Sequence, residues 1–305
     1  MSKKIAITGA SGLIGTSLVR KLYERGDNIY IITRGKSKTG NDLSRYGTII
    51  EFDFKSPHKI SQVISGFDAV IHLAGASISG KRWSDEYKSI ILKSRVNSTK
   101  VMVEVISKAK TKPKLFLTAS AVGYYGNRGE ETITEKSSKG NGFLAEVCNA
   151  WEEEANKIQK YDIRNVIVRI GIVLSKDGGA LKKMVLPFKF FVGGILGSGR
   201  QYLPWVHIDD VVSIITEAID KSEYSGVFNS VSPNPVKMSE FSKTIGKVLK
   251  RPSIFRVPEF LLKNIMGEAA ELVIGGQKAL PEKLLQTGYR FKFENLKDAL
   301  DDVLK

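Results

Sequence analysis

Six short apolar runs, KIAITG, NIYIIT, TIIEFDF, DAVIHLAG, KLFLTAS and NVIVRIGIVL, are spaced along the first part of the chain. Between them lie Leu13 to Arg25, Pro57 to Ser65, Ser84 to Ala109 and Gly142 to Lys160, whose apolar residues recur at helical spacing. Strands that are apolar throughout have two faces to bury, and the intervening helices are what can cover them. The pattern therefore predicts an α/β fold, a doubly wound parallel sheet. Beyond residue 175 it loosens into Gly-rich loops such as VGGILGSGRQ, a helix from about Val206 to Asp220, one more strand, GVFNSV, and a mostly helical tail. Residues 1–175 read as the sheet domain, with 206–230 packing back on it. Residues 176–205 and 231–305 read as a smaller, mostly helical C-terminal lobe for a substrate.

ITGASGLIG places Gly9, Gly12 and Gly15 directly between the first strand and the first helix. A tight turn, a backbone approaching a pyrophosphate, and a helix packed closely on a strand each call for glycine. The helix start then offers free N–H groups and a positive dipole end. The position of the triplet, opening a βαβ unit, makes 1–175 a dinucleotide-binding domain, with Gly9, Ser11, Gly12, Leu13, Ile14 and Gly15 around the phosphates.

Composition narrows the function. No N-terminal run has the layout of a signal peptide and no apolar run approaches the ~20 residues of a membrane span, so the expected setting is cytoplasmic, with no membrane partner. The net charge of +15 raises a nucleic-acid reading. The lysines are scattered, however, and no nucleic-acid-binding motif is present, while an anionic dinucleotide also suits a positive field. Cys148 is the lone cysteine, and His58, His72 and His207 are far apart, so no disulfide or metal site is expected. A homo-oligomer is left open.

The G-x-x-G-x-x-G spacing resembles the extended, epimerase/dehydratase branch of the short-chain dehydrogenase/reductase superfamily, which implies a Rossmann sheet. Arg34 closes the second strand where an NAD enzyme would carry an acid, and Lys36 and Lys38 follow it; a guanidinium there favours a 2'-phosphate, hence NADP(H). The resemblance further implies that Asp53 and Phe54 lie beside the adenine, that Leu73, Ala74 and Gly75 line the cofactor, and that Arg169 sits where the sixth strand passes the nicotinamide. The blocks KRWSDEYKSIILKSRVNST, TASAVGYYG, GFLAEVCNAWEEEA, RIGIVLSKDGGALKKM, GGILGSGRQYLPWVHIDDVV and GEAAELVIGGQKALPEKLLQTGYRFKFENLKDAL resemble one poorly characterised subgroup, epimerase-family proteins with a C-terminal segment of unknown function.

In that superfamily the chemistry runs through a Ser or Thr after strand five and a Tyr-x-x-x-Lys on the next helix. Ser120 fits the first position. The helix reads GFLAEVCNAWEEEA, with Phe143 or Leu144 at the tyrosine position and Val147 or Cys148 at the lysine position, so no register gives the dyad. Three readings stay open. Tyr124 or Tyr125 could supply the phenol, with Lys81 or Arg82 as the cation. Glu131, Glu135 or His207 could act as acid or base. Or the protein binds NADP(H) without turnover, as a sensor or scaffold. Arg95, Arg200, Trp205 and His207 are candidate contacts for cofactor or an anionic substrate, with Asp209 and Asp210 as helix N-terminal acids. The expected function is hydride transfer on a small, anionic hydroxy or carbonyl compound.

Overall fold

A computed structural model of the chain describes residues 2–35, 43–54 and 56–305. The first part holds β1 (Lys4–Thr8), α1 (Leu13–Glu24), β2 (Asn28–Thr33), β3 (Thr48–Glu51), α2 (Pro57–Val63), β4 (Ala69–His72), α3 (Asp85–Ser107), β5 (Leu115–Ala121), β6 (Thr132–Ile133), α4 (Phe143–Asn156) and β7 (Arg164–Ile170). Then come β8 (Ile172–Leu174), α5 (Gly179–Lys189), β9 (Gly194–Leu196), β10 (Tyr202–Leu203), β11 (Trp205–His207), α6 (Ile208–Asp220), β12 (Gly226–Ser230), β13 (Val236–Lys237) and α7 (Met238–Leu249). The tail adds β14 (Phe255–Val257), α8 (Glu259–Met266), α9 (Glu271–Ile274), β15 (Lys278–Ala279), α10 (Glu282–Gln286) and α11 (Leu296–Leu304).

Among the described residues the main sheet has seven strands in the order β12-β7-β5-β4-β1-β2-β3, every pairing parallel. Alternation across each strand divides its side chains between two helical layers. Ile5, Ile7, Leu115, Leu117, Val166 and Val168 face α1 and α6 in one core. Ala6, Phe116 and Ile167 face α2, α3 and the end of α4 in the other. Both faces are dry, which is why these strands read as continuous apolar runs. Strand order reverses between β1 and β4, and in open parallel sheets such a switch point opens a crevice at the C-terminal strand ends.

One predicted strand is two. NVIVRIGIVL breaks at Gly171, where a Cβ would overlap the Pro204 carbonyl oxygen. β7 stays in the main sheet, while β8 leaves it to pair in parallel with β11. Val206 and His207, predicted to open a helix, belong to that strand; α6 starts at Ile208.

The C-terminal lobe has its own core, in which Leu181, Val185 and Phe188 of α5 meet Phe241 and Ile245 of α7 and Leu300 of α11. The tail is not confined to the lobe, for Leu284, Tyr289 and Phe291 enter the main sheet's core. Asp210 ties that return down, its buried carboxylate accepting the backbone N–H groups of Lys292 and Phe293 at 2.7 and 3.1 Å.

Candidate dinucleotide and substrate site

The turn after β1 lies at the switch point. Gly9 has φ +73°, and a Cβ there would come 2.6 Å from the Leu73 carbonyl carbon and 2.8 Å from the Ala74 nitrogen. Backbone thus touches backbone where β1 and β4 exit the sheet. Gly15 is pressed against Gly9 and Ala10 in the same way. Gly12 caps α1 without a side-chain bond, and Ser11 and Gly12 are exposed. An uncapped helix start in front of an open, glycine-walled turn is a cradle for phosphate oxygens. A second helix start borders it: at Gly179, φ +78°, a Cβ would sit 3.0 Å from Leu13 Cδ2. The sequence reading missed the Gly178-Gly179 pair; two glycines opening a helix were the available signal.

On the expected adenine side, Arg34 is exposed immediately after β2, and Asp53 is exposed beyond β3. Phe54 holds φ +62°, with its ring 4.7 Å from that of Phe52. Lys36 and Lys38 lie outside the described residues. Past β4, Leu73 and Ala74 are half-buried and Gly75 is exposed. Arg95 backs this segment. Its guanidinium donates to the carbonyls of Ala76 and Ile91, each at 3.0 Å, and lies 5.3 Å from the Trp151 ring. His72 bonds Thr8 Oγ1 at 2.6 Å and Ser98 Oγ at 3.0 Å, and complete burial pushes its pKa down to about 3. It is a neutral link between β1, β4 and α3.

The far wall is a buried polar chain. Ser120 Oγ donates to Glu152 Oε1 at 2.6 Å. Arg169 grips Glu152 bidentately, Nε to Oε1 at 2.8 Å and Nη2 to Oε2 at 2.7 Å. Its Nη1 donates to the Tyr125 hydroxyl at 2.8 Å, and that hydroxyl donates to Asn229 Oδ1 at 2.7 Å. Burial alone would lower the Arg169 pKa, yet Glu152 and Tyr125 raise it. Burial pushes Tyr125 up to about 12, against the opposing pull of Arg169. The two tyrosines of the loop therefore separate. Tyr125 is fully buried and held at its hydroxyl. Tyr124 is half-buried, with its ring centre 3.4 Å beneath the Arg169 guanidinium carbon. Arg169, expected at the nicotinamide, has its donors turned into this wall. Glu152 and Asn229 were not foreseen; an acid one turn beyond Cys148 on an otherwise apolar helix face was the signal for Glu152.

The four helix positions considered for the missing dyad differ in orientation. A Cβ on Gly123 would meet Leu144 Cβ at 3.2 Å and Cys148 Sγ at 3.8 Å, so Leu144 and Cys148 face the end of β5. Phe143 and Val147 turn away, packing with Trp83 and Ile91. Burial, with Glu152 adding to it, pushes the Cys148 thiol up to about 11.

The expected substrate-side residues divide. Lys81 and Arg82 are exposed on the loop after β4, and Arg82 Nε would be 2.8 Å from a Cβ on Gly267, which brings the tail over this loop. Arg200 is exposed. Trp205 is not a pocket residue: it is 0% exposed, its indole N–H donating to the Asn234 carbonyl at 3.1 Å. His207 is buried too, capping α6 by accepting from the Asp209 N–H at 3.1 Å, and burial lowers its pKa. β11 lies between the two cores, with Trp205 in that of the lobe and Val206 in that of the main sheet, and the His207 ring packs 3.9 Å from that of Phe293. Glu131 is exposed and paired with Arg128 at 2.7 Å. Glu135 accepts the N–H groups of Asn229 and Lys283 at 3.0 and 3.3 Å, and burial raises its pKa.

Comparison with known proteins fits this geometry. Residues 5–230 match the NAD dependent epimerase/dehydratase family, and residues 257–303 match a domain of unknown function. The chain is 41% identical to the epimerase family protein SDR39U1 homolog, chloroplastic, of Arabidopsis thaliana, covering 99% of this chain and 86% of that one. It is 39% identical to the epimerase family protein YfhF of Bacillus subtilis, covering 98% and 97%. Among solved structures, human epimerase family protein SDR39U1 with NADPH superposes with a TM-score of 0.88 at 30% identity, covering 98% of each chain.

Proposed function

Because the chain belongs to the NAD dependent epimerase/dehydratase family, we propose that it is an NADP(H)-binding oxidoreductase or epimerase-like enzyme acting on a small anionic hydroxy or carbonyl compound. The observation that supports this best is the glycine-walled, uncapped turn at the strand-order switch. The full-length likeness to a protein crystallised with NADPH points the same way. In this reading Gly9, Ser11, Gly12, Leu13, Ile14 and Gly15 receive the pyrophosphate, Arg34 the 2'-phosphate, Asp53 and Phe54 the adenosine, and Leu73, Ala74 and Gly75 flank the remainder. The bound nicotinamide supplies or accepts hydride.

The chain's own groups handle the proton and the substrate. Tyr124 is the phenol with room to act: its ring is braced by Arg169, whereas the Tyr125 hydroxyl is committed to Arg169 and Asn229. Ser120 gives its proton to Glu152 and so presents a lone pair, which suits a substrate hydroxyl; toward a carbonyl it must first turn away from Glu152. Lys81, Arg82 and Arg200 are exposed cations available to an anionic group. Calorimetry tests the cofactor assignment. NADPH binds at least about ten-fold more tightly than NADH, and Arg34→Ala removes the difference; equal affinities in the parent protein would remove Arg34 from its role.

A second reading is supported by the apolar Leu144 and the buried thiol of Cys148, which face the end of β5 where the superfamily's tyrosine and lysine would be sought. There the protein binds NADP(H) without turnover, as a sensor. Oxidation of bound NADPH by any member of a broad carbonyl panel, lost in Tyr124→Phe, selects the enzyme; no oxidation across the panel selects the sensor.

A further inference from the structure

Among the described residues, nothing covers an apolar face of the C-terminal lobe. Leu186, Phe190, Phe191, Val192, Ile254 and Phe255 are all exposed, Phe190 at 70% and Ile254 at 78%. They come from two segments that parallel pairing of β9 with β14 sets side by side, Phe255 opposite Gly194. The residues just ahead of the two strands are therefore neighbours, and the Arg251 guanidinium carbon lies 4.2 Å from the Phe191 ring centre. Phe191 closes α5 at φ +63°, with its N–H bonded to the Phe188 carbonyl and that of Val192 to the Pro187 carbonyl. That left-handed cap is a place glycine normally fills. A bulky residue held there under strain, with its ring turned outward, is a mark of use outside the fold.

The same segments carry charge of one sign. Residues 181–195 contain Lys182, Lys183 and Lys189; residues 243–258 contain Lys243, Lys247, Lys250, Arg251 and Arg256; neither contains Asp or Glu. Elsewhere Lys3, Lys88, Lys108 and Lys114 are paired with acids, whereas among the described residues Lys189, Lys243, Lys247, Lys250 and Arg251 form no ion pair. Lys243, Lys247, Lys250 and Arg251 line a shallow depression of about 340 Å³. Cations around one hollow suit a phosphate group.

We propose that this face docks the protein on an anionic lipid surface, with headgroup phosphates at the Lys243–Arg251 depression and Phe190, Phe191 and Ile254 set into the acyl boundary. A second copy is a poor occupant, because a two-fold contact apposes the patch with itself and brings cations against cations. Single-stranded nucleic acid leaves Leu186, Val192 and Ile254 without a use, since aliphatic side chains offer no ring to stack on a base. The contact is peripheral; among the described residues no helix is long and apolar enough to cross a membrane. It revises the expectation of no membrane partner and does not rest on the proposed activity.

Sedimentation of the full chain with vesicles tests it. Vesicles of equal parts phosphatidylcholine and phosphatidylglycerol bind the protein at least about ten-fold more strongly than phosphatidylcholine alone. The Phe190→Ser/Phe191→Gly and Lys247→Glu/Lys250→Glu variants each lower that binding by about ten-fold or more. Glycine suits φ +63°, so Phe191→Gly alone keeps or raises the melting temperature and shows that lost binding is not lost folding. Equal binding to both vesicles, or anionic binding that the apolar variant leaves intact, overturns the proposal. So does RNA that displaces the protein from vesicles while binding the apolar variant as well as the parent, or a concentration-dependent dimer, abolished by the apolar variant, in place of vesicle binding.

Discussion

Glu152 shows what one buried charge does here. Its carboxylate holds Ser120 by one oxygen and Arg169 by both, with the Glu152 and Arg169 side chains 6% and 4% exposed. Removing one member strands the other in a dry wall, which typically costs about 3–5 kcal/mol. Glu152→Gln is expected to lower unfolding free energy by that order in urea titration, and pairing it with Arg169→Met recovers much of the loss. Tyr124→Phe is the contrasting case. It removes a hydroxyl from a half-buried ring whose stacking on Arg169 is kept, so stability and NADPH affinity stay within about two-fold while any turnover falls by about 100-fold or more. At this scale the sequence offered Ser120 and the tyrosine pair as candidates, and the proposal of Tyr124 over Tyr125 rests on the tertiary structure, in which Arg169 and Asn229 occupy the Tyr125 hydroxyl.

Among the elements, the turn between β1 and α1 is the most tightly specified. Gly9→Ala forces a Cβ against the Leu73 and Ala74 backbone at φ +73°, a clash that cannot be relieved by moving a side chain. It is expected to destabilise by about 1–3 kcal/mol and to abolish NADPH binding in calorimetry. Gly26 supplies the control: φ +86° with nothing within 4 Å of a Cβ. Gly26→Ala should show the strain cost of about 1 kcal/mol alone, with NADPH affinity unchanged. The turn was legible in the sequence because its requirements are local, a φ value and a short approach. The split of NVIVRIGIVL was not, because the atom that excludes a side chain at Gly171 belongs to Pro204, some thirty residues away.

For the molecule as a whole, His72 couples folding to pH. Its pKa is about 6.5 in the unfolded chain and about 3 when folded, because burial disfavours the cation. Above about pH 6.5 both states are neutral there and the full stability is present. As pH falls below that, the unfolded chain takes up a proton that the folded chain refuses, so stability drops by about 1.4 kcal/mol per pH unit toward pH 3. Unfolding free energies at pH 7 and pH 5 should differ by about 2 kcal/mol from this group, a difference that His72→Gln removes.

The sequence by itself determined the parallel sheet, its helical cover and the glycine turn between β1 and α1. Those features follow from alternation, run length and glycine placement, all of them properties of neighbours in the chain. The tertiary structure decided the rest. It buried Trp205 and His207 by setting β11 between the core of the lobe and that of the main sheet. It joined Ser120, Glu152, Arg169, Tyr125 and Asn229, drawn from α4 and from the strands or loops of β5, β7 and β12, into one wall. It turned Leu144 and Cys148 toward the end of β5. Polar partnerships of this kind are set by which strand ends meet, and a one-residue shift along α4 would take Glu152 from both Ser120 and Arg169.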